Sequence, residues 1–128
     1  MNNLLFVYGS LLAKDNEFAK YLKQNTDFAT NAVFKGRLYN ISDYPGAVLD
    51  DAGYAIHGVI CKLSDPATAL KVLDEYEGFG EAEEQPNLFV RTTIEAITPT
   101  GNVKCWVYLY NLSVDGCAEI TTGKYQSL

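Results

Sequence analysis

Two short runs hold residue types that can do chemistry. The first, Leu4 to Leu11 (LLFVYGSL), is an apolar stretch that passes through Tyr8 into Gly9, Ser10 and Leu11. Gly9 has no Cβ and permits a sharp turn. The amide N–H groups that follow, at Ser10 and Leu11, are not yet committed to a ladder and can face an anion. The second run, Leu73 to Gly78 (LDEYEG), sets Asp74, Glu75 and Glu77 ahead of a glycine. A carboxyl group partly buried among like charges holds its proton more tightly, which suits a general base near neutral pH. Bare donors beside a positioned acid are the parts of an active site. An ordinary strand-loop junction is the plain alternative for the first run, and a solvated acidic helix end for the second.

The elements that must position these residues follow from periodicity. Leu4 to Tyr8 form an unbroken apolar run bounded by Gly9, the pattern of a strand buried on both faces. Asp15 can cap a short helix in which Phe18, Tyr21 and Leu22 recur at i, i+3, i+4. Residues 31 to 41 predict a strand with a bend at Gly36. The SDYPG turn at 42 to 46 leads into a short strand at Ala47 to Leu49. From Tyr54 to Leu63 the alternation places Ala55, His57, Val59, Cys61 and Leu63 on one face. Asp65 and Pro66 begin a second helix as N-cap and first residue, with Leu70 and Leu73 at helical spacing and an end near Gly78. Its last turn holds three carboxylates, against the preference of the helix dipole for cations there. A local rule broken at a helix end is where function is often found. A polar, acidic loop at 79 to 87 follows. Strands at 88 to 98 and 103 to 110 then form a hairpin around the PTGN turn. Strands outnumber helices and hairpins outnumber crossovers, so the expected fold is α+β: a small, mostly antiparallel β-barrel flanked by short helices, in one domain spanning residues 1 to 128.

Composition narrows the function classes. The chain has 128 residues, 48% of them apolar, and 16 acidic against 10 basic residues give a net charge of −6. That balance argues against a nucleic-acid partner. No basic n-region precedes the first apolar stretch, and no run approaches the ~18 apolar residues of a membrane span. Neither a signal peptide nor a membrane partner is expected. Cys61, Cys105 and Cys117 are odd in number and share no C-x-x-C spacing, so no disulfide framework or zinc site is indicated and a cytoplasmic location fits. His57, the only histidine, sits in an alternating strand and reads as a core or rim residue rather than a ligand or base. Ser10 has no base near it in sequence to make it a nucleophile. The acids from Asp74 to Glu84 do not follow a calcium-loop spacing.

Glu77 stands apart from these acids. It directly precedes Gly78, so the chain turns there, and its carboxylate is able to point back toward the open end of the sheet. Taken in order, YGSL at 8 to 11, LDEYEG at 73 to 78, Phe89-Val90-Arg91, a later strand with Trp106 and Tyr108, and Gly123-Lys124-Tyr125 resemble the γ-glutamylcyclotransferase-like family, including the AIG2-like proteins, over nearly the whole chain. The resemblance implies a barrel with a cavity at one mouth. There a loop corresponding to Tyr8, Gly9, Ser10 and Leu11 binds a glutamyl group, and one glutamate, here Glu77, acts as acid and base. Phe89 and Tyr108 fall at substrate-binding positions, and relatives often carry tyrosine where this chain has Phe89. The implied reaction releases 5-oxoproline and a free amine or amino acid from a small-molecule γ-glutamyl substrate, as a transferase or lyase that uses no metal and no cofactor. Two readings from other classes stand beside it: a non-catalytic ligand-binding barrel of the same fold, and an interaction domain that presents the acidic 74 to 84 surface.

Overall fold

The computed structural model of the chain describes residues 2–8, 17–42 and 44–125. Its elements run β1 (Leu4–Val7), α1 (Glu17–Gln24), β2 (Thr26–Asn40), β3 (Pro45–Leu49), β4 (Tyr54–Leu63), α2 (Pro66–Glu77), β5 (Phe89–Thr98), β6 (Gly101–Tyr110) and β7 (Ala118–Glu119). Strands β2, β4, β1, β6 and β5 are neighbours in that order, and pairing of Val33 on β2 with Ile97 on β5 joins the two ends. Five strands thus close a barrel, with β3 and β7 added along β2 and two short helices outside. The expected α+β barrel is the fold observed. One pairing departs from the antiparallel pattern: β1 and β6 run parallel, with Leu5 opposite Trp106.

The continuous apolar run of β1 has a direct structural cause. Phe6 points into the barrel, where its ring meets Phe34 edge-on at 4.9 Å, among Leu38, Ile56, Ile60, Ile94 and Val107. Leu5 and Val7 point outward and are covered by Leu22 of α1 and by Ala69, Leu70 and Leu73 of α2. A strand in the wall of a barrel is half-exposed by default; here the helices remove the second face from water. Fully burying a side chain such as Leu73 contributes about 1.5–3 kcal/mol, and truncating it costs more because a cavity remains.

On β4 the predicted alternation holds, but the barrel interior takes the opposite face. Ile56 and Ile60 point inward, whereas Val59, Cys61 and Leu63 pack outward under α2. His57 lies on that outer face beyond the reach of α2 and is exposed. Beside it the C-terminal stretch crosses the strand, so that the His57 N–H donates to the Gly123 carbonyl at 2.8 Å. A Cβ at Gly123 would stand 1.8 Å from the Ala55 carbonyl oxygen, and its φ of +70° is in the left-handed region, so this crossing requires glycine.

Candidate active site

The second helix is held at both ends by its own sequence. The Asp65 carboxylate accepts from the Thr68 N–H at 3.3 Å, with Pro66 opening the first turn. At the other end Gly78 adopts φ +72°, and the N–H groups of Gly78 and Phe79 donate to the carbonyls of Glu75 and Asp74 at 3.3 and 2.9 Å. This cap fixes the last turn, in which Asp74 and Glu77 are three residues apart and therefore lie on one side of the helix.

Asp74 is the most heavily bonded acid of that turn. Its Oδ1 accepts from Arg91 Nε at 2.7 Å and from the Tyr108 hydroxyl at 2.7 Å, and its Oδ2 accepts from Arg91 Nη2 at 3.1 Å. Arg91 and Tyr108 are direct cross-strand partners on β5 and β6, which is why both reach one carboxylate. The guanidinium also lies over the Trp106 ring, 4.4 Å from its centroid, and 5.7 Å from that of Phe79. The helix itself has no cation in its last turn; Arg91 supplies one from the sheet. The unfavourable cluster of carboxylates at the helix end is thereby explained.

Among the described residues Glu77 has no such partner. Its carboxyl group is half-buried at the end of α2, and loss of water pushes its pKa up to about 7. Two phenols feel its charge. Tyr8 and Tyr108 are both held protonated far above the usual tyrosine range, first by burial, with Asp74 acting on Tyr108 and a smaller contribution from Glu77 in each. The carboxylate, Tyr8 just after β1 and Tyr108 of β6 thus form one electrostatic neighbourhood. A half-buried acid with raised proton affinity and no neutralising partner can take a proton from a bound group and return it.

The Tyr8 side chain is committed to the fold. Its hydroxyl donates to the Tyr108 carbonyl and accepts from the Ala47 N–H at 3.1 Å, tying β1 to β6 and β3. Tyr8→Phe leaves the Ala47 N–H and the Tyr108 carbonyl without that partner, and we expect a loss of about 1–3 kcal/mol in denaturant unfolding. An unchanged unfolding midpoint would show that these backbone groups find other partners.

The remaining sequence-predicted residues fall as follows. Gly9, Ser10, Leu11 and Asp15 lie outside the described residues. Phe89 is buried at the start of β5, between Tyr44 and Tyr110 at ring separations of 6.2 and 5.5 Å. Cys61 and Cys105 are buried free thiols whose pKa values burial raises, to about 11 for Cys105, so they serve as small apolar groups. Among the described residues no group of three or more His, Cys, Asp or Glu is placed to hold a metal ion, and no helix is long and apolar enough to cross a membrane. Sequence reasoning missed the Asp74–Arg91 pair. The available signal was an arginine opposite a tyrosine in a hairpin arm, 17 residues after an acid in a helix turn that holds no cation.

A family model described as gamma-glutamyl cyclotransferase, AIG2-like, matches residues 5–127. No curated protein matches the sequence. Among solved structures, the chain is similar to the protein ytfP of Escherichia coli, at 29% identity and a TM-score of 0.66 with 95% of each chain covered. It is similar also to YkqA of Bacillus subtilis, at 25% identity and a TM-score of 0.71. That match covers 98% of this chain but only 40% of YkqA, so the chain spans less than half of that relative's length. A gamma-glutamyl cyclotransferase shares the fold at a TM-score of 0.59 and 19% identity, over 87% of this chain and 68% of the other.

Proposed function

The chain belongs to the AIG2-like gamma-glutamyl cyclotransferase family, and on that premise we propose that it converts a γ-glutamyl compound into 5-oxoproline and a free amine or amino acid, with Glu77 as the acid and base. The observation that carries this reading is the half-buried Glu77 carboxyl group at the capped end of α2, with no partner among the described residues and a pKa near 7.

The steps need little beyond that group. The Glu77 carboxylate takes a proton from the substrate's α-ammonium group. The freed nitrogen attacks the γ-carbonyl carbon of the same molecule, forming a C–N bond and an oxyanion. Collapse of the oxyanion breaks the bond to the leaving nitrogen, which takes the proton back from Glu77; the ring nitrogen, positively charged since the attack, passes its extra proton to the released amine, leaving the neutral five-membered lactam and an ammonium product. Nucleophile and electrophile are tethered, so the entropic cost of bringing them together is small once the substrate is folded into the ring-closing shape. Stabilising the oxyanion needs fixed donors. The family resemblance assigns these to the amides of Gly9 to Leu11, and substrate contacts to Tyr8, Phe89 and Tyr108.

The test is the pH dependence of kcat/KM for a γ-glutamyl amine, followed by 5-oxoproline release. The base form of Glu77 is required, so kcat/KM should rise about tenfold per pH unit on the acid side and bend near pH 7. A bend at the ordinary carboxylate value of 4.5 would contradict the assignment.

A further inference from the structure

Two residues that the proposed reaction does not require to touch substrate bind to each other at the helix turn that carries the base. We infer that Asp74 and Arg91 are positioning residues for Glu77: the Asp74 carboxylate, clamped by the Arg91 guanidinium and the Tyr108 hydroxyl, fixes the last turn of α2 against the hairpin and so sets where the Glu77 carboxylate lies. The inference rests on the reading of Glu77 as general base.

The bonding pattern carries it. Asp74 is the residue through which the sheet holds the helix end, its side chain bonded to both Arg91 and Tyr108, while its carbonyl accepts the Phe79 N–H of the helix's own cap. Arg91 is in turn immobilised. Its fork is bidentate on Asp74, and its flat face lies 4.4 Å from the Trp106 ring centroid, while Trp106 Nε1 donates to the Asn2 carbonyl at 2.8 Å. The Arg91 and Asp74 side chains are only 18% and 20% exposed, so water screens the pair only in part. This is far more bonding than a helix end needs for a cap, which Gly78 already provides.

Arg91 also neutralises the carboxylate one turn before Glu77. Tyr8, just after β1, and Tyr108 of β6 both feel the Glu77 charge; Asp74 stands one turn earlier on the same helix, with Arg91 of β5 bound to it. Both tyrosines are neutral; Asp74 is a negative charge one turn before Glu77, and Arg91 neutralises it. Without Arg91 a bare carboxylate stands one helical turn from the base and makes it harder to ionise. A guanidinium can do this and orient the turn as well, because its fork fixes the carboxylate plane; a lysine would supply only the charge.

Three variants separate these effects from simple stabilisation: Arg91→Met, Arg91→Lys, and Arg91→Met combined with Asp74→Asn. The readouts are kcat and KM on a γ-glutamyl amine and a carbon-13 NMR titration of the Glu77 carboxyl in the protein alone. Arg91→Met should lower kcat by about 10- to 100-fold with little change in KM, since a small displacement of the base is enough for that. It should also raise the Glu77 titration midpoint by about one pH unit. Adding Asp74→Asn should return the midpoint toward the wild-type value while kcat stays low. Arg91→Lys should keep the midpoint and still lose kcat; it carries the test if Arg91→Met does not fold. A wild-type kcat and midpoint in Arg91→Met, or a wild-type kcat in Arg91→Lys, would overturn the inference. Glu77→Gln, assayed in parallel, separates the two claims: if it is fully active the general-base reading falls, and the NMR titration still decides whether Arg91 and Asp74 govern the Glu77 carboxyl.

Discussion

Glu77→Gln should lower turnover of a γ-glutamyl amine by about 10²- to 10⁴-fold, the range that positioned acid-base groups contribute, and leave the barrel folded. Gln is nearly isosteric and keeps the helix end, but it can neither accept the α-ammonium proton nor deliver one to the leaving nitrogen. The same change should alter stability with a distinctive sign. The Glu77 carboxyl holds its proton more tightly in the folded chain, near 7, than in the unfolded chain, near 4.5. Between those values the native state binds more protons than the unfolded state, so stability falls as pH rises through that window, by up to an amount on the order of 3 kcal/mol. Gln carries no such penalty. The variant should therefore match the wild type near pH 4 and exceed it in unfolding free energy above pH 7. An inactive variant that is also destabilised at pH 8 would point to a structural role for Glu77. Glu75, exposed on the same turn, is the control: Glu75→Gln should change neither quantity appreciably.

The parts of this arrangement that are local in sequence were legible there. Asp65, Pro66 and Gly78 mark both ends of α2, and the unbroken Leu4 to Tyr8 run gives a strand covered on both faces, which the packing of Phe6 against Leu5 and Val7 realises on opposite sides. The hairpin of β5 and β6 follows from its turn and its alternation. Longer-range features leave no local trace. The strand expected from residue 31 begins at Thr26, because a bulge between Thr26 and Ala29 breaks the alternation that would reveal its first turns of chain. The parallel contact of β1 with β6 joins residues about a hundred positions apart and obeys no periodicity. The tail shows only Gly123-Lys124-Tyr125 in sequence and hides β7, which is two residues long and held by backbone pairing to Tyr39 and Asn40, with Glu119 ion-paired to Arg37. At the site, Glu77 was legible as an acid before a helix-ending glycine. Its isolation was not, because that depends on Arg91 being taken up by Asp74 rather than by Glu77 itself.

Blocking the substrate's α-amine should abolish turnover. In the proposed reaction that nitrogen is both the group Glu77 deprotonates and the nucleophile that closes the ring. An acetyl group removes the ionisable proton and delocalises the lone pair into an amide, so both functions are lost together. The leaving amine only departs, and changing it should alter rates far less than acetylation does. The most direct measurement sets γ-glutamyl compounds with different leaving amines beside their N-acetyl counterparts and follows both the amine released and the form of the glutamyl product. The account predicts 5-oxoproline from the free-amine compounds and no measurable turnover of the acetylated ones. Cleavage of an acetylated compound as fast as its parent, with N-acetylglutamate as product, would contradict it and assign Glu77 to activating water instead.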